Sequence, residues 1–157
     1  MGWFGWSRQR RAGKGTQAES RRTRSLLSIR GRQYLTTAPY FLPKDDEEVN
    51  RLDFQHYLFR FALKGNYAVP LEAPANILDV GTGTGRWAME MAALFPAANV
   101  IGLDVIPPPA DDTATLGNGL DRRPDNYVYV QGNALDGLPF PDATFDFVHQ
   151  RLLVAAL

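Results

Sequence analysis

Apolar and polar positions alternate in the second half of the chain in a way that predicts a series of short strands. Strand-like apolar runs occur at Asn76–Val80 (NILDV), Asn99–Val105 (NVIGLDV), Tyr127–Gly132 (YVYVQG) and Thr144–Gln150 (TFDFVHQ). Between the first two runs, Arg86–Phe95 has a helical pattern that stops before Pro96. Strands separated by helical segments predict an α/β fold with a parallel sheet and right-handed crossover connections.

The connection between the second and third predicted strands lacks a clear helical pattern. It runs from Pro107 to Asn126, begins with three consecutive prolines and is polar throughout most of its length. Unstructured loops of this length are uncommon in compact domains and are usually functional or mobile.

A helix is predicted upstream of these strands, in the stretch KDDEEVNRLDFQHYLFRFAL that ends at Leu63. Four acids, Asp45 to Glu48, occupy its first turn, where they favour the positive end of the helix dipole and are expected to be solvated. The 3.6-residue period places one apolar face inward. That face is expected to contain Val49, Leu52, His56, Phe59 and Leu63, widened by Phe54, Tyr57, Leu58 and Phe61. The preceding Tyr34–Pro43 is expected to be extended.

Composition places the chain among ordinary globular proteins, with 45% hydrophobic and 22% charged residues in 157 residues. No apolar run approaches the length of a membrane-spanning helix, so no membrane association is expected. The absence of cysteine and the presence of only two histidines leave no expected metal site.

The net charge of zero hides a marked asymmetry along the chain. Residues 1–32 contain nine of the 17 Lys and Arg residues but one of the 17 acids. This stretch is Arg- and Ser-rich and lacks sustained periodicity, so it is interpreted as a disordered basic arm. A basic arm is compatible with a cytoplasmic or nuclear protein and with a mitochondrial presequence. Residues 33–75 then form an N-terminal helical segment, and residues 76–157 the domain that carries the strands.

The turn between the first strand and its helix is the main candidate for a ligand site. Gly81, Gly83 and Gly85 alternate there with threonines. Glycine adopts backbone angles that other residues avoid and lets a ligand approach the main chain, while the helix N-terminus offers free N–H groups. Asp104 ends the second strand, where a carboxylate can accept hydrogen bonds from both hydroxyls of a ribose.

Two cofactor classes fit this arrangement, and the details favour one of them. A dinucleotide turn has the spacing G-x-G-x-x-G, whereas here the third glycine comes one residue early. Asp79, just before the turn, would repel a pyrophosphate but suits a ligand with an ammonium group. The sequence therefore favours S-adenosylmethionine over a nicotinamide dinucleotide.

Several stretches together resemble the first half of a class I S-adenosylmethionine-dependent methyltransferase. They are ILDVGTGTGRWA, VIGLDV and VQGNALDGLPFPDATFDFVHQR. The upstream PYFLPKDDEEVNRLDFQH resembles the fungal LaeA-like methyltransferases, and LPFPDATFDFV is similar to ubiquinone/menaquinone-biosynthesis-type methyltransferases. The resemblance covers about Tyr40–Leu157 and implies a Rossmann-like, doubly wound parallel sheet ordered 3-2-1-4-5-7-6.

The resemblance also implies roles for individual residues around S-adenosylmethionine. Residues surrounding its methionine part and ribose would be Asp79, Gly81, Thr82, Gly83 and Gly85, with Gln150 near the methionine. Asp104 would hold the ribose hydroxyls with Val105 beside the adenine, and Asn133 and Ala134 would meet the adenine edge. Many family members have Asp where this chain has Asn133, but an amide oxygen can also accept from the adenine amino group.

Methyl transfer requires a nucleophile aligned with the methyl–sulfur axis, and some acceptors also need a general base. His149 is the candidate base, because it is the histidine nearest the predicted ligand edge. A Glu or Asp elsewhere, or no base at all, are the alternatives. His56 is expected on the face of the first helix, either packed against the domain or as part of a lid over the cofactor.

The sequence supplies four of the seven strands expected, and RLLVAAL reads as the beginning of a helix. The sheet is therefore expected to be truncated after about four strands. The fourth would form an open edge, with Phe145 and Phe147 on one face, that could pair with a partner chain. The preferred function is the cofactor-binding part of a methyltransferase with an unknown methyl acceptor. The alternatives are a non-catalytic, methyltransferase-like interaction module and an NAD-dependent oxidoreductase.

Overall fold

The computed structural model describes residues 26–29, 32–35, 46–108 and 123–153. Its elements in chain order are strands β1 (Leu26–Ile29) and β2 (Arg32–Leu35), helix α1 (Asp46–Leu63), strand β3 (Asn76–Val80), helix α2 (Arg86–Leu94), strands β4 (Asn99–Asp104) and β5 (Tyr127–Gln131), a 3₁₀ helix (Ala134–Asp136) and strand β6 (Phe147–Gln150).

Strands β3 to β6 form one parallel sheet in the order β5-β4-β3-β6. This confirms the predicted Rossmann-like α/β fold. β3 lies inside the sheet, and Ile77 and Leu78 are fully buried on its two faces, as expected for a strand covered on both sides. β4 and β5 follow on one side of β3, and β6 lies on the other.

Two apolar clusters cover the two faces of this sheet. The cluster beneath α2 contains Ile77, Val100 and Tyr127 from the sheet and Trp87, Met89 and Met91 among the helix residues. On the opposite face, Leu78, Val80 and Leu103 pack against Phe140, Phe145 and Leu153. The first cluster thus holds α2 against one face of the sheet, and α2 begins directly after the glycine turn.

The two phenylalanines near β6 do not share a face, which corrects the expectation from the sequence. Phe147 packs with the α2 cluster, where its ring centroid lies 6.2 Å from that of Trp87. Phe145 packs with the opposite cluster, 5.0 Å from the ring of Phe140. The reason is that β6 begins only at Phe147, so strand alternation does not extend back to Phe145.

Helix α1 covers Asp46–Leu63, and four residues of its predicted inward face are buried or partly buried: Val49, Leu52, His56 and Phe59. The expected widening of that face is wrong at three of its four positions, and Leu63 is also 50% exposed. Phe54, Leu58 and Phe61 are exposed, with 70%, 54% and 84% of their surface accessible. Two polar side chains of the helix are buried, His56 as predicted and Glu48 against the prediction. Glu48 was expected to be solvated, and its burial is compensated by a hydrogen bond from Arg51 Nε of 2.9 Å. α1 therefore attaches to the domain through polar contacts.

The N-terminal strands form an antiparallel hairpin in which Leu26 pairs with Leu35. This corrects the expectation of a disordered arm throughout residues 1–32, because the end of that stretch is a strand. LLSI and RQYL are two short segments with strand-forming residues separated by two positions, a spacing typical of a hairpin. The remaining arm, the predicted extended segment after Leu35, most of the predicted loop Pro107–Asn126 and the helical pattern near the C-terminus lie outside the described residues.

Candidate functional site

The glycine turn follows β3, the strand at which the order of the strands in the sheet reverses. The chain leaves β3 through α2 to reach β4 on one side, whereas β6 lies on the other side of β3. In open α/β sheets, ligands bind outside the carboxyl ends of the strands at this switch point. The turn and Asp104, at the end of β4, meet at this edge.

The turn has an unusual backbone conformation that is held by β4. Gly81, Gly83 and Gly85 have positive φ angles of 70°, 57° and 78°. The N–H groups of Gly81 and Thr82 donate to the Leu103 carbonyl oxygen at 2.8 and 3.1 Å. Glycine is therefore required at these positions by backbone conformation itself.

The space beside the glycines is filled by protein at two of the three positions, which corrects part of the sequence argument. A Cβ atom at Gly81 would collide with the Leu153 side chain, and one at Gly85 would lie 2.6 Å from the Tyr127 hydroxyl oxygen. At Gly83 the nearest neighbour would be Leu52 Cδ1 at 3.6 Å, an ordinary contact. The small size of Gly81 and Gly85 thus serves internal packing.

Asp104 is joined directly to the glycine turn. Its Oδ2 accepts a 2.8 Å hydrogen bond from the Gly83 N–H, and its Oδ1 accepts a 3.0 Å bond from the Ile106 N–H. Burial raises the pKa of Asp104 above its usual 3.8, and the nearby charge of Asp79 acts in the same direction, while the backbone donors oppose it. A carboxylate offers about four acceptor sites, so Asp104 retains capacity for a ligand hydroxyl.

Asp79 and His149 form a pair across β3 and β6, at register positions that face each other. His149 Nδ1 lies 2.7 Å from Asp79 Oδ1, and Thr82 Oγ1 donates to Asp79 Oδ2 at 2.7 Å. Because an ionised carboxylate only accepts, His149 Nδ1 carries the proton in this pair. The imidazole also stacks on Trp87, with ring centroids 3.8 Å apart. These two contacts fix the orientation of the His149 ring, and Nε2 is the nitrogen that does not face Asp79.

The remaining residues singled out from the sequence lie near the same edge. Asn133 precedes the 3₁₀ helix, where its Oδ1 accepts a 3.1 Å bond from the Leu135 N–H, and Ala134 is the first residue of that helix. The carbonyl oxygen of Val105, which follows β4, accepts from Gln131 Nε2 at 3.0 Å. Gln150 ends β6 and is exposed. Asn133 thus has a capping function in addition to any contact with a ligand.

Sequence reasoning missed a polar network that connects α1 to this site. Asp53 Oδ1 accepts from Thr84 Oγ1 at 2.7 Å, and Asp53 Oδ2 accepts from Arg86 Nε at 3.0 Å. One signal was available, because Asp53, His56 and Arg60 recur at helical spacing on α1. Recognising it required knowing that the buried face of α1 includes Asp53 beside His56 and does not extend to Phe54, Leu58 and Phe61.

A second bridge between α1 and α2 centres on Glu90. Its carboxylate lies 3.3 Å from His56 Nε2 and accepts bonds from Arg60 Nη1 at 3.1 Å and Asn66 Nδ2 at 2.9 Å. Burial would raise the pKa of Glu90, but the hydrogen bonds from His56 and Asn66 and the charges of His56 and Arg60 outweigh it. The pKa is lowered below the usual 4.5.

His56 has contacts on both ring nitrogens. Arg151 Nη2 lies 3.3 Å from His56 Nδ1, and the Arg151 guanidinium carbon lies 5.1 Å from the centre of the Phe59 ring. This arrangement joins the residue directly after β6 to α1.

The sequence of the domain matches a family described as "Methyltransferase domain" over residues 77–156, which is more than half of the chain. The chain belongs to this methyltransferase family. This confirms the class I, LaeA-like resemblance, and S-adenosylmethionine is the cofactor of this class.

Two relatives illustrate the similarity of this methyltransferase chain to curated proteins. It is 38% identical over 120 residues to methyltransferase str3 of Strobilurus tenacellus, covering 76% of this chain and 40% of that protein. It is 45% identical over 70 residues to the protein-methionine methyltransferase laeA of Emericella nidulans, covering 43% of this chain and 19% of that protein. The chain therefore spans two fifths or less of the length of these relatives.

Among solved structures, the fold is similar to that described as "PigF with SAH". The TM-score is 0.36 at 20% sequence identity, covering 85% of this chain and 49% of that one.

Two further observations concern only the described part of the chain. No helix there is both long and apolar enough to cross a membrane. Within the same residues, no group of three or more His, Asp or Glu side chains is arranged to hold a metal ion.

Proposed function

We propose that this chain binds S-adenosylmethionine at the carboxyl ends of β3, β4 and β5 and supplies this site for methyl transfer to an acceptor. The observation that carries the proposal is the bond between the Gly83 N–H and Asp104 Oδ2, 2.8 Å long, at the switch point of the sheet. It joins the turn and the carboxylate, the two features that a nucleoside ligand needs on adjacent strands.

The acceptor capacity of the site fits the chemical groups of this cofactor. Asp104 accepts from the backbone of Gly83, Ile106 and Val105, which leaves about one of its four acceptor sites for a ribose hydroxyl. Asp79 uses two acceptor sites, for Thr82 and His149, and retains capacity for an ammonium group. The Asn133 carbonyl oxygen has a second lone pair, available to the adenine amino group.

The other assignments follow from position on the same edge. Gly81, Thr82, Gly83 and Gly85 would surround the methionine part and ribose. Val105 and Ala134, after β4 and β5, would border the adenine, and Gln150, at the end of β6, would approach the methionine.

When bound, S-adenosylmethionine supplies a methyl group activated by its sulfonium, so the protein chiefly provides alignment. His149 is proposed to accept the proton of an acceptor hydroxyl or acidic carbon through Nε2. The Asp79 contact supports this role, since it holds Nδ1 protonated and orients the ring, as a carboxylate does for histidine in other enzymes.

Calorimetric titration with S-adenosylhomocysteine and with NAD tests the proposal. We expect micromolar affinity for S-adenosylhomocysteine and none for NAD. Asp104→Ala should weaken binding at least tenfold, the loss of one to two hydrogen bonds to a charged group. Asp146→Ala is the matched control, because Asp146 accepts two backbone bonds of 2.8 Å at the opposite end of the sheet. Equal binding by wild type and Asp104→Ala would contradict the site, and preferred binding of NAD would favour the oxidoreductase alternative.

One observation favours the alternative of an interaction module. In the described part of the chain, β6 forms a sheet edge that pairs with β3, and Val148 on it is 51% exposed. An edge strand can pair with another chain. Light scattering coupled to size-exclusion chromatography should then reveal an oligomer that Val148→Lys dissociates. A monomer at concentrations near 100 μM would remove the basis for this alternative.

A further inference from the structure

Asp53, on α1, contacts both neighbours of the last glycine in the turn. Its two carboxylate oxygens accept from Thr84 Oγ1 at 2.7 Å and from Arg86 Nε at 3.0 Å. Gly85 lies between these two residues and precedes the first residue of α2. A side chain 31 positions upstream of Thr84 thus brackets the point where the turn becomes a helix.

These contacts are shielded from solvent. The side chains of Asp53 and Arg86 are 14% and 7% exposed, and Thr84 is 9% exposed. Removing one partner of a buried ion pair is strongly destabilising, because it leaves a charge in a place with little solvent.

The turn needs a restraint of this kind because its own sequence does not supply one at this position. Gly85 has no side chain to cap α2, and the first turn of α2 contains no acid. Three glycines with positive φ also make the segment costly to order, because glycine loses more conformational freedom on folding than any other residue. Asp53 does not cap the backbone N–H groups of α2 but restrains this point through side chains, since it accepts from Thr84 Oγ1 and Arg86 Nε on the two sides of Gly85.

We propose that Asp53 is a positioning residue for the cofactor turn, which holds Thr84 and Arg86 so that the Gly83 and Gly85 N–H groups keep their hydrogen bonds to Asp104 and to the Thr82 carbonyl oxygen. The expected effect of Asp53 on the affinity for S-adenosylmethionine rests on the proposed function. The restraint that Asp53 places on the turn does not depend on any ligand. α1 thereby becomes part of the cofactor site although no atom of Asp53 need touch the cofactor.

Amide hydrogen exchange followed by NMR tests the restraint without a ligand. The Gly83 N–H donates to Asp104 Oδ2, and the Gly85 N–H donates to the Thr82 carbonyl oxygen at 2.9 Å. In Asp53→Ala we expect both amides to exchange at least tenfold faster than in wild type, relative in the same sample to the amides of β3 other than Asn76, which is bonded to Asp146. Asp146→Ala should leave the ratio of turn to strand exchange unchanged. Thr84→Val removes only one of the two contacts of Asp53 and should therefore increase the exchange of both amides by less than Asp53→Ala does. It is the test to use if Asp53→Ala fails to fold.

Titration with S-adenosylhomocysteine then tests the consequence for binding. We expect at least tenfold weaker binding in Asp53→Ala, less than threefold weaker binding in Asp146→Ala, and no additional loss when Thr84→Val is combined with Asp53→Ala. Unchanged turn exchange in both Asp53→Ala and Thr84→Val would overturn the proposal, as would faster exchange with wild-type affinity. Faster exchange in a protein whose wild type binds no S-adenosylhomocysteine would refute the proposed function and leave Asp53 as a restraint on the turn.

Discussion

Gly85 is subject to two separate constraints, one from the backbone and one from a neighbouring ring. Its φ angle is 78°, and an added Cβ would lie 2.6 Å from the buried Tyr127 hydroxyl. Gly83 shares the backbone constraint, with φ of 57°, but an added Cβ there would make an ordinary 3.6 Å contact. Alanine at position 83 therefore tests backbone strain alone, whereas alanine at position 85 tests backbone strain together with overpacking.

Gly83→Ala is expected to lower the free energy of unfolding by about 1–2 kcal/mol, the cost of a left-handed conformation for an L-residue. Gly85→Ala should cost roughly 2–4 kcal/mol, because overpacking of a filled site is added. Urea unfolding of the two variants measures the difference. Equal losses would show that the Tyr127 ring moves aside without cost.

Asp104 gives the stability a pH dependence of defined sign. Its pKa is raised in the folded chain, chiefly by burial. The folded state therefore holds the proton more tightly, and the free energy of unfolding contributed by this group falls as the pH rises from about 3.8 through the higher folded pKa. Asp104→Asn removes the titration, so the stability of the variant relative to wild type should increase over that interval. Urea unfolding from pH 3.5 to 7 measures it, and a constant or decreasing difference would contradict the assignment.

At the scale of single residues, the sequence predicted where the candidate site residues lie in the sheet better than it predicted which side chains they contact. The glycine spacing and Asp104 were predicted to lie at one edge of the sheet and they meet there, because backbone conformation and position at a strand end are local properties. The bonds from Asp79 to His149 and from Asp53 to Arg86 depend on contacts 70 and 33 positions apart in the chain. No local pattern specifies such contacts, since they are set by the packing of β6 and α1.

Helix α1 shows how an element and the centre of its buried face can be predicted correctly while the residues flanking that face are not. Its extent follows from local helical propensity and from the acids of its first turn. Its orientation depends on the polar groups of α2 and the turn that must be satisfied when they are buried. Asp53 and His56 meet those groups, and the apolar residues Phe54, Leu58 and Phe61 consequently remain exposed.

Glu90 is expected to be a main determinant of how firmly α1 is held. Glu90→Gln removes the charge that faces His56 and Arg60, and should lower the free energy of unfolding at neutral pH by roughly 1–3 kcal/mol. Glu72→Gln, at an exposed position outside the helices, should change it by less than about 0.5 kcal/mol.

The pH dependence of this bridge has the opposite sign to that of Asp104. The pKa of Glu90 is lowered below 4.5 in the folded chain, so its contribution is present above pH 4.5 and is lost as the pH falls through the folded pKa. The difference between wild type and Glu90→Gln in urea unfolding should therefore shrink upon acidification. A difference that stays constant down to pH 3 would mean that the carboxylate is not stabilised by these partners.

At the scale of the whole molecule, the parallel sheet could be predicted because strand length, apolar content and connection type can each be read from a short stretch of sequence. The order β5-β4-β3-β6 agrees with the first four strands of the order implied by the family resemblance. The hairpin of β1 and β2 was missed, because its short strands lie within a stretch whose overall composition is basic and polar. Composition averaged over 32 residues conceals a signal of about ten residues.

The most direct test of the central proposal is an NMR titration of ¹⁵N-labelled chain with S-adenosylhomocysteine. We predict saturable shifts of the amide signals of Gly83, Gly85, Asp104 and Ala134, at the carboxyl ends of the strands. The signals of Asn76 and Asn99, at the opposite end of the sheet, should remain unchanged. The absence of saturable shifts in a folded sample, or shifts confined to the opposite end, would contradict a cofactor site at the glycine turn.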